Sequence, residues 1–455
     1  MTINDYLQRE EARFLQELFE LLSIPSVSTD PDHGPDVARC AHWLRDHLEK
    51  IGLHGAEVCP TEGHPIVYAE HLEAGDDKPT LLLYGHYDVQ PPDPLDEWDT
   101  PPFEPTVRDG KILARGATDD KGQFFAHIKG LEAWLSTTGS LPVNVKVLIE
   151  GEEEVGSPSL APWIEENVDR LRCDAVIISD SSMFAPGIPA ITYGLRGLAY
   201  IELTLQGPDH DLHSGLYGGG VPNPVLELSR ILSALHDEEG RVQIPGFYDK
   251  VRPLDPEERE AFAALPFDDE EFRAETGAPG LKGEAGYTTL ERLWARPTLD
   301  VNGIWGGFTG KGAKTVLPSR VHAKLSCRLV PDQEPEEIAA LLKAHIENLA
   351  DDSVAVDVRF HHGGRPVITD RNGPIVKAAT RAFDRVWKED TVFIRGGGSI
   401  PVVADFATIL GAPTVLMGFG LENDRLHSPN EKLNLENFYA GIQTSAYLWE
   451  ESAKK

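Results

Sequence analysis

Short apolar, β-rich runs that alternate with helical patterns constrain the fold of this chain more than any other feature. Residues 66–69, 81–84, 143–149 and 175–178 are such runs, and helical stretches near 121–136 and 159–168 separate the last three. Strands alternating with helices predict an α/β layer with a mostly parallel central sheet. In such sheets functional side chains gather where the strands end. Two amphipathic helices are predicted ahead of the sheet. Phe14, Leu15, Leu18, Phe19 and Leu22 share one side of 5–22, and Val37, Leu44 and Leu48 share one side of 37–50.

The pattern shifts after the segment Tyr193-Gly194-Leu195-Arg196-Gly197. Residues 198–206 alternate like a strand, 221–237 read as a helix opened by Pro222 and Pro224, and 252–285 form an acidic, irregular stretch. Strand-like 320–330, helical 334–349 and strand-like 354–361 complete an α+β pattern. A chain of 455 residues exceeds what one simple core supports. The expected organisation is therefore a first domain in two parts, 1–195 and 365–455, with 196–364 inserted as a second. The returning part is expected to hold a helix at 374–387, a strand at 413–417 and a closing helix at 435–452.

A formal net charge of −32 disfavours nucleic acid and anionic membranes as partners. No apolar stretch approaches the roughly 20 residues needed to span a bilayer, and the start, Met1 to Asp5, lacks the features of a signal peptide. Cys40, Cys59, Cys173 and Cys327 are scattered without CxxC spacing. That argues against a cysteine zinc site or a disulfide scaffold and fits a reducing cytoplasm.

Imidazoles and carboxylates at the ends of the apolar runs form the donor set that zinc and manganese accept, and together they read as one two-metal hydrolytic site. His86-x-Asp88 follows 81–84; a single histidine there is most often structural. A ligating imidazole, however, usually donates its other N–H to a carboxylate, which makes His86 the ligand and Asp88 its orienter. Asp119 and Asp120 open a helix, where acidic residues commonly serve as caps. Two metal ions about 3.5–4 Å apart need a bridging carboxylate, and Asp119 is the expected bridge. Glu152-Glu153-Glu154 follows the run 143–149; such a triplet is usually a solvated surface. Here it marks a loop at a sheet end, with Glu154 as ligand and Glu153 as general base. Asp180, after 175–178, and His427, in a loop, complete the ligands. Gly218-Gly219-Gly220 and Gly396-Gly397-Gly398 lack a phosphate-loop pattern, so nucleotide binding is rejected.

These segments resemble the carnosinase and cytosolic non-specific dipeptidase family of co-catalytic di-zinc metallopeptidases. Glutamate carboxypeptidases, aminoacylases and succinyl-diaminopimelate desuccinylases are wider relatives. The match runs from Ile24-Pro25-Ser26-Val27-Ser28 to His427, and 114–122 with 153–157 carry most of its specificity. The resemblance implies a zinc-peptidase-like catalytic domain with an inserted lid that also forms a homodimer. It implies two divalent ions per subunit, zinc first, with manganese or cobalt as substitutes. One ion would take His86, Asp180 and bridging Asp119; the other would take Glu154, His427 and the same Asp119. A cis peptide between Asp119 and Asp120 is implied as well. So is hydrolysis of dipeptides or short peptides by a hydroxide bridging the metals.

Three further positions match family substrate contacts: Thr315, Arg328 and Ser399. An arginine there suits a terminal carboxylate, although on pattern alone Arg328 is an ordinary strand-end charge. His213, in Asp211-Leu212-His213-Ser214-Gly215, matches the histidine that stabilises the oxyanion in the partner subunit's site. Without the resemblance, His210 and His213 would form a small metal pair or cap a turn, and the turn is the favoured reading. The family often has an apolar residue where Glu152 stands, which leaves a register one residue earlier as an alternative for base and ligand; the Glu-x-Gly-Ser ending favours Glu153 and Glu154. An amidohydrolase of the same fold, acting on N-acyl, N-succinyl or N-carbamoyl amino acids, is the second functional expectation. A non-catalytic binding protein that kept only the fold is the third.

Overall fold

A computed structural model of the chain describes residues 1–398 and 400–454. Two compact units emerge: Met1–Tyr193 with Thr369–Ile394 and Pro401–Lys455, and Gly194–Ile368 with Arg395–Ile400. The second unit contains the stretch 196–364 expected as an insertion. Residues 395–400, which the sequence pattern assigned to the returning part of the first domain, group with the inserted unit instead. Pattern could not reveal this, because a chain segment joins a unit by contact and not by order.

The first unit is built on a mixed sheet. Its strand order is His54–Cys59, Ile66–His71, Asn144–Glu150, Thr80–His86, Ala175–Ile178, Thr414–Leu416 and Ala190–Leu195. The central four strands run parallel, while those at both flanks pair antiparallel. Every residue of Asn144–Glu150 and Ala175–Ile178 is buried, as parallel strands covered on both faces require. This explains why they read as continuous apolar runs rather than alternating ones. All four parallel strands end on one side, and the segments bearing His86, Glu153–Glu154, Asp180 and His427 follow from those ends.

The helix Lys121–Thr138 is buried from Lys121 to Ala133 and packs against Ile3–Leu22, Leu435–Ser452 and the strand Thr80–His86. Two glycines allow this approach. A Cβ at Gly85 would come within 2.6 Å of Phe124 Cβ, and one at Gly122 within 2.0 Å of the Ala117 carbonyl oxygen. The buried Lys129 ammonium on this helix donates to Glu17 Oε2 at 2.5 Å and Glu132 Oε2 at 2.8 Å, and lies 2.7 Å from His47 Nε2. A buried charge is tolerated when it is paired in this way, and the pairing joins three helices.

The second unit holds an antiparallel sheet in the order Thr298–Gly306, Arg320–Leu329, Gly197–Gln206 and Ala355–Gly364. Gly197–Gln206 alternates buried and half-buried residues, and Ala199, Ile201, Leu203 and Leu205 pack with the helices Pro224–Ala234 and Pro335–Leu349. The stretch 252–285 is not wholly irregular. It contains the helices Pro256–Ala264 and Asp269–Thr276, capped by Asp255 and Asp268. The acidic residues taken as a sign of irregularity are caps and first-turn residues that satisfy free backbone N–H groups. Among the described residues, no helix is long and apolar enough to cross a membrane.

Candidate metal centre and active site

Two imidazoles meet one carboxylate beyond the carboxyl ends of the parallel strands. His86 Nε2 lies 3.1 Å from Asp119 Oδ1 and 4.0 Å from Asp180 Oδ2. His427 Nε2 lies 2.9 Å from Asp119 Oδ2 and 3.3 Å from Glu154 Oε2. Asp119 thus offers one oxygen to each histidine and belongs to both ligand groups. Two ligands of one tetrahedral ion stand about 3.3–3.6 Å apart, given metal–ligand lengths of about 2.0–2.2 Å. The observed separations cluster around that value. His86 Nε2 is buried and has no hydrogen-bond partner, a cost that a bound cation removes. The residues present fit a pair of divalent ions.

The peptide between Asp119 and Asp120 is cis. Asp120 N-caps the following helix without a side-chain capping bond; its Oδ2 accepts the His86 N–H at 3.3 Å. Asp88 serves the site differently from expectation. His86 Nδ1 reaches the main-chain oxygen of Asp88 at 3.1 Å, while the carboxylate lies 3.5 Å away. That carboxylate instead accepts the N–H groups of Glu153 and Glu154 at 3.2 and 3.1 Å and the Ser28 hydroxyl at 2.6 Å. One residue therefore orients the imidazole and fixes the glutamate loop. The three glutamates point to different partners. Glu152 is buried and accepts the His64 and Ser159 N–H groups, whereas Glu154 faces His427 and is held by Gln90 at 2.9 Å.

The electrostatics follow from crowding. Burial raises the Glu153 carboxyl to about 8 and that of Asp180 to about 7, and neighbouring carboxylates push each in the same direction. Hydrogen bonds to Asp119 and Glu154 raise His427 to about 10. Burial opposes protonation of His86, yet Asp119 and Asp88 outweigh it and hold its pKa well above the usual range. Burial likewise works against ionisation of Asp119, but the two histidines keep its carboxyl below the ordinary value.

The sequence profile of peptidase family M20/M25/M40 matches residues 82–451. The Cys-Gly metallodipeptidase of Schizosaccharomyces pombe is 35% identical, over 96% of this chain and 95% of its own length. The Beta-Ala-His dipeptidase of Homo sapiens is 34% identical, over 99% and 92%. Among solved structures, an M20 family metallo-carboxypeptidase from Sulfolobus solfataricus superposes with a TM-score of 0.85 at 37% identity, covering 97% of this chain and 99% of its own. The chain belongs to peptidase family M20/M25/M40. It is a metal-dependent peptidase.

Several residues that organise this M20 site were missed by sequence reasoning. Glu431, fully buried, accepts the N–H groups of Gly116, Thr118 and Asp119 at 2.9–3.1 Å and pairs with Arg115 at 2.8 Å. Asp424 accepts the Leu421 N–H and the Thr118 hydroxyl and pairs with Lys432. Gln123 accepts the Phe419 and Gly420 N–H groups and donates to the Thr118 oxygen. These bonds tie the His427 loop to the Asp119 loop, and His427 itself sits at φ +58°. Below Asp180, His127 bridges the hydroxyls of Ser179 and Ser445 at 2.6 and 2.9 Å. Such partners carry no local sequence signal, because they form only when distant loops meet.

In the inserted unit, Leu212–His213 pairs with Val316–Leu317, and the Ser214 N–H donates to the Thr315 oxygen, so His213 and Thr315 lie on one small ribbon. His213 is exposed and its Nδ1 accepts the Gly215 N–H at 2.9 Å, the turn-capping arrangement. Arg328 lies opposite Leu198 in the sheet. Burial and the nearby Arg328 charge lower Arg196 to about 10. Arg196, not singled out in the sequence, donates to the Gly397 oxygen at 3.0 Å. Ser399 lies outside the described residues.

The titrations of the metal-stripped protein have one sign above neutrality. His427, raised from 6.5 to about 10, contributes stability below pH 6.5 that is lost as pH rises through 10. Glu153 and Asp180, raised from 4.5 to about 8 and from 3.8 to about 7, each bring a penalty that grows as pH rises from the lower value to the higher and is constant beyond it. Asp119 acts oppositely, but only on acidification below its ordinary value of 3.8. The Tm of chelator-treated protein is therefore expected to fall between pH 7 and 9, with the gap to metal-saturated protein widening. Equal Tm values with and without metal at both pH values would contradict the proposed centre.

Proposed function

We propose that this peptidase cleaves dipeptides and short peptides, with Glu153 as general base beside two divalent ions, zinc foremost. The observation that carries the reading is the position of Glu153, half-buried beside Glu154 on the loop that Asp88 holds and within electrostatic reach of His86, Asp180 and Asp119. His86 and Asp180 would hold one ion, His427 and Glu154 the other, and Asp119 both. Bound ions supply Lewis acidity, which brings the pKa of water toward neutrality and polarises a scissile carbonyl. Glu153, ionised when the site is filled, would take the proton of the attacking water and deliver it to the leaving amine. The Asp88 carboxylate holds the Glu153 and Glu154 amides and so keeps base and ligand in fixed relation.

Arg328 and the neighbouring Arg196 form a positive pair in a chain of net charge −32, which suits a substrate's terminal carboxylate. Thr315, on the ribbon with His213, is a second proposed contact, and Ser399 a third from the resemblance. The names of the two dipeptidases and the carboxypeptidase reported above support a peptide substrate over an acylated amino acid. A cytoplasmic setting is supported by four cysteines, all free. Glu153→Gln should retain both metals and lose at least about 10²–10⁴-fold in kcat, measured on dipeptides with N-acyl amino acids in parallel. Turnover within a few-fold of the parent, or faster cleavage of N-acyl amino acids than of any dipeptide, would reject the reading.

A homodimer through the inserted unit is the proposed assembly. The edge strand Thr298–Gly306 exposes Val301, Ile304 and Trp305, and Phe308 follows it. An edge strand with bare apolar side chains is a template for pairing with a second copy. The proposed role of His213 is to stabilise the oxyanion in that second copy's site. Trp305→Glu is expected to sediment as a monomer and to lose most activity. A variant that stays dimeric, or a monomer with full activity, would contradict this.

A further inference from the structure

A second group of metal-ligating side chains lies at the edge of the first unit's sheet. His54 opens the edge strand, His71 closes its antiparallel neighbour, and Glu73 follows two residues later. The two imidazole rings stack with centroids 5.6 Å apart. Both present Nε2 to one carboxylate: His54 Nε2 lies 3.4 Å from Glu73 Oε1, and His71 Nε2 lies 4.0 Å from Oε2. One donor atom from each residue falls within 4.8 Å of the others.

These separations distinguish two kinds of bonding. A charge-assisted hydrogen bond from nitrogen to a carboxylate closes to about 2.7–2.9 Å, and neither contact does. Ligands of one tetrahedral zinc stand about 3.3–3.6 Å apart, close to the shorter contact and within a small side-chain adjustment of the longer. His71 is the fixed member of the group. Its side chain is 3% exposed, and its Nδ1 is buried with no hydrogen-bond partner. The buried ring thus holds Nε2, the nitrogen that faces Glu73, near ligand distance.

The location gives the site a purpose. The ladder between the two strands is irregular between His54 and Glu57, so backbone pairing is weakest where the three side chains meet. The chain's charge of −32 raises the local concentration of cations. The geometry points to a divalent transition-metal site, suited to zinc, formed by His54, His71 and Glu73, which fastens the edge strand to its neighbour. Three protein ligands leave one position for water. The site is separate from the catalytic centre and does not depend on its assignment.

Zinc content after equilibrium dialysis against micromolar free zinc tests this. The parent protein is expected to hold one more ion per chain than either His54→Gln or Glu73→Gln, both changes at exposed positions. Zinc should also slow amide exchange across residues 54–59 in the parent and leave it unchanged in Glu73→Gln. Equal zinc content in the parent and both variants would overturn the proposal.

Discussion

Buried negative charge is the constraint on which the molecule is organised. Asp119, Glu153, Glu154 and Asp180 converge beyond the parallel strands, with His86 and His427 beside them. Two like charges about 4 Å apart repel by about 4 kcal/mol at an effective dielectric near 20. Burial first, and then the neighbouring carboxylates, raise Glu153 and Asp180, so ionising all four groups there without cations is unfavourable. The same arrangement becomes favourable once divalent charge enters it. What would be strain in a structural core is the working condition of a metal-dependent peptidase.

Holding such groups in place needs a rigid surround, and the chain supplies it with further buried polar residues. Glu431 gathers three amides and Arg115 around the Asp119 loop. Asp424 and Gln123 join that loop to the one carrying His427. Asp88 does the same for Glu153 and Glu154. Each converts a buried charge or amide into a satisfied network, where leaving one member unpaired would cost several kcal/mol. The scaffold is continuous with the core, because the helix that begins after Asp120 is buried against the sheet and two further helices.

The sequence revealed those parts of this design that depend on local pattern. Continuous apolar runs marked the parallel strands, and the polar residues after them led to His86, Glu154 and Asp180, while Asp119 was read at a helix start and His427 in a loop. The Glu-x-Gly-Ser ending favoured Glu153 and Glu154 over the earlier register, and the fold adds direction: Glu152 turns to His64 and Ser159. The use of Asp88 was misread in detail, since its main-chain oxygen and not its carboxylate makes the closer contact to His86. Glu431, Asp424, Gln123 and Arg196 were not legible, because their partners lie far away in sequence. The strand Thr298–Gly306 escaped notice for a different reason. Most of it is exposed, so it carries little of the buried periodicity that marks a strand.

The proposed chemistry depends on Asp119 joining two cations, one beside His86 and one beside His427. Anomalous diffraction from crystals of the zinc-loaded protein measures that directly. Two peaks about 3.5–4 Å apart, with Asp119 contributing an oxygen to each, are the expected result. A single peak, or two ions too far apart for one carboxylate to span, would contradict it.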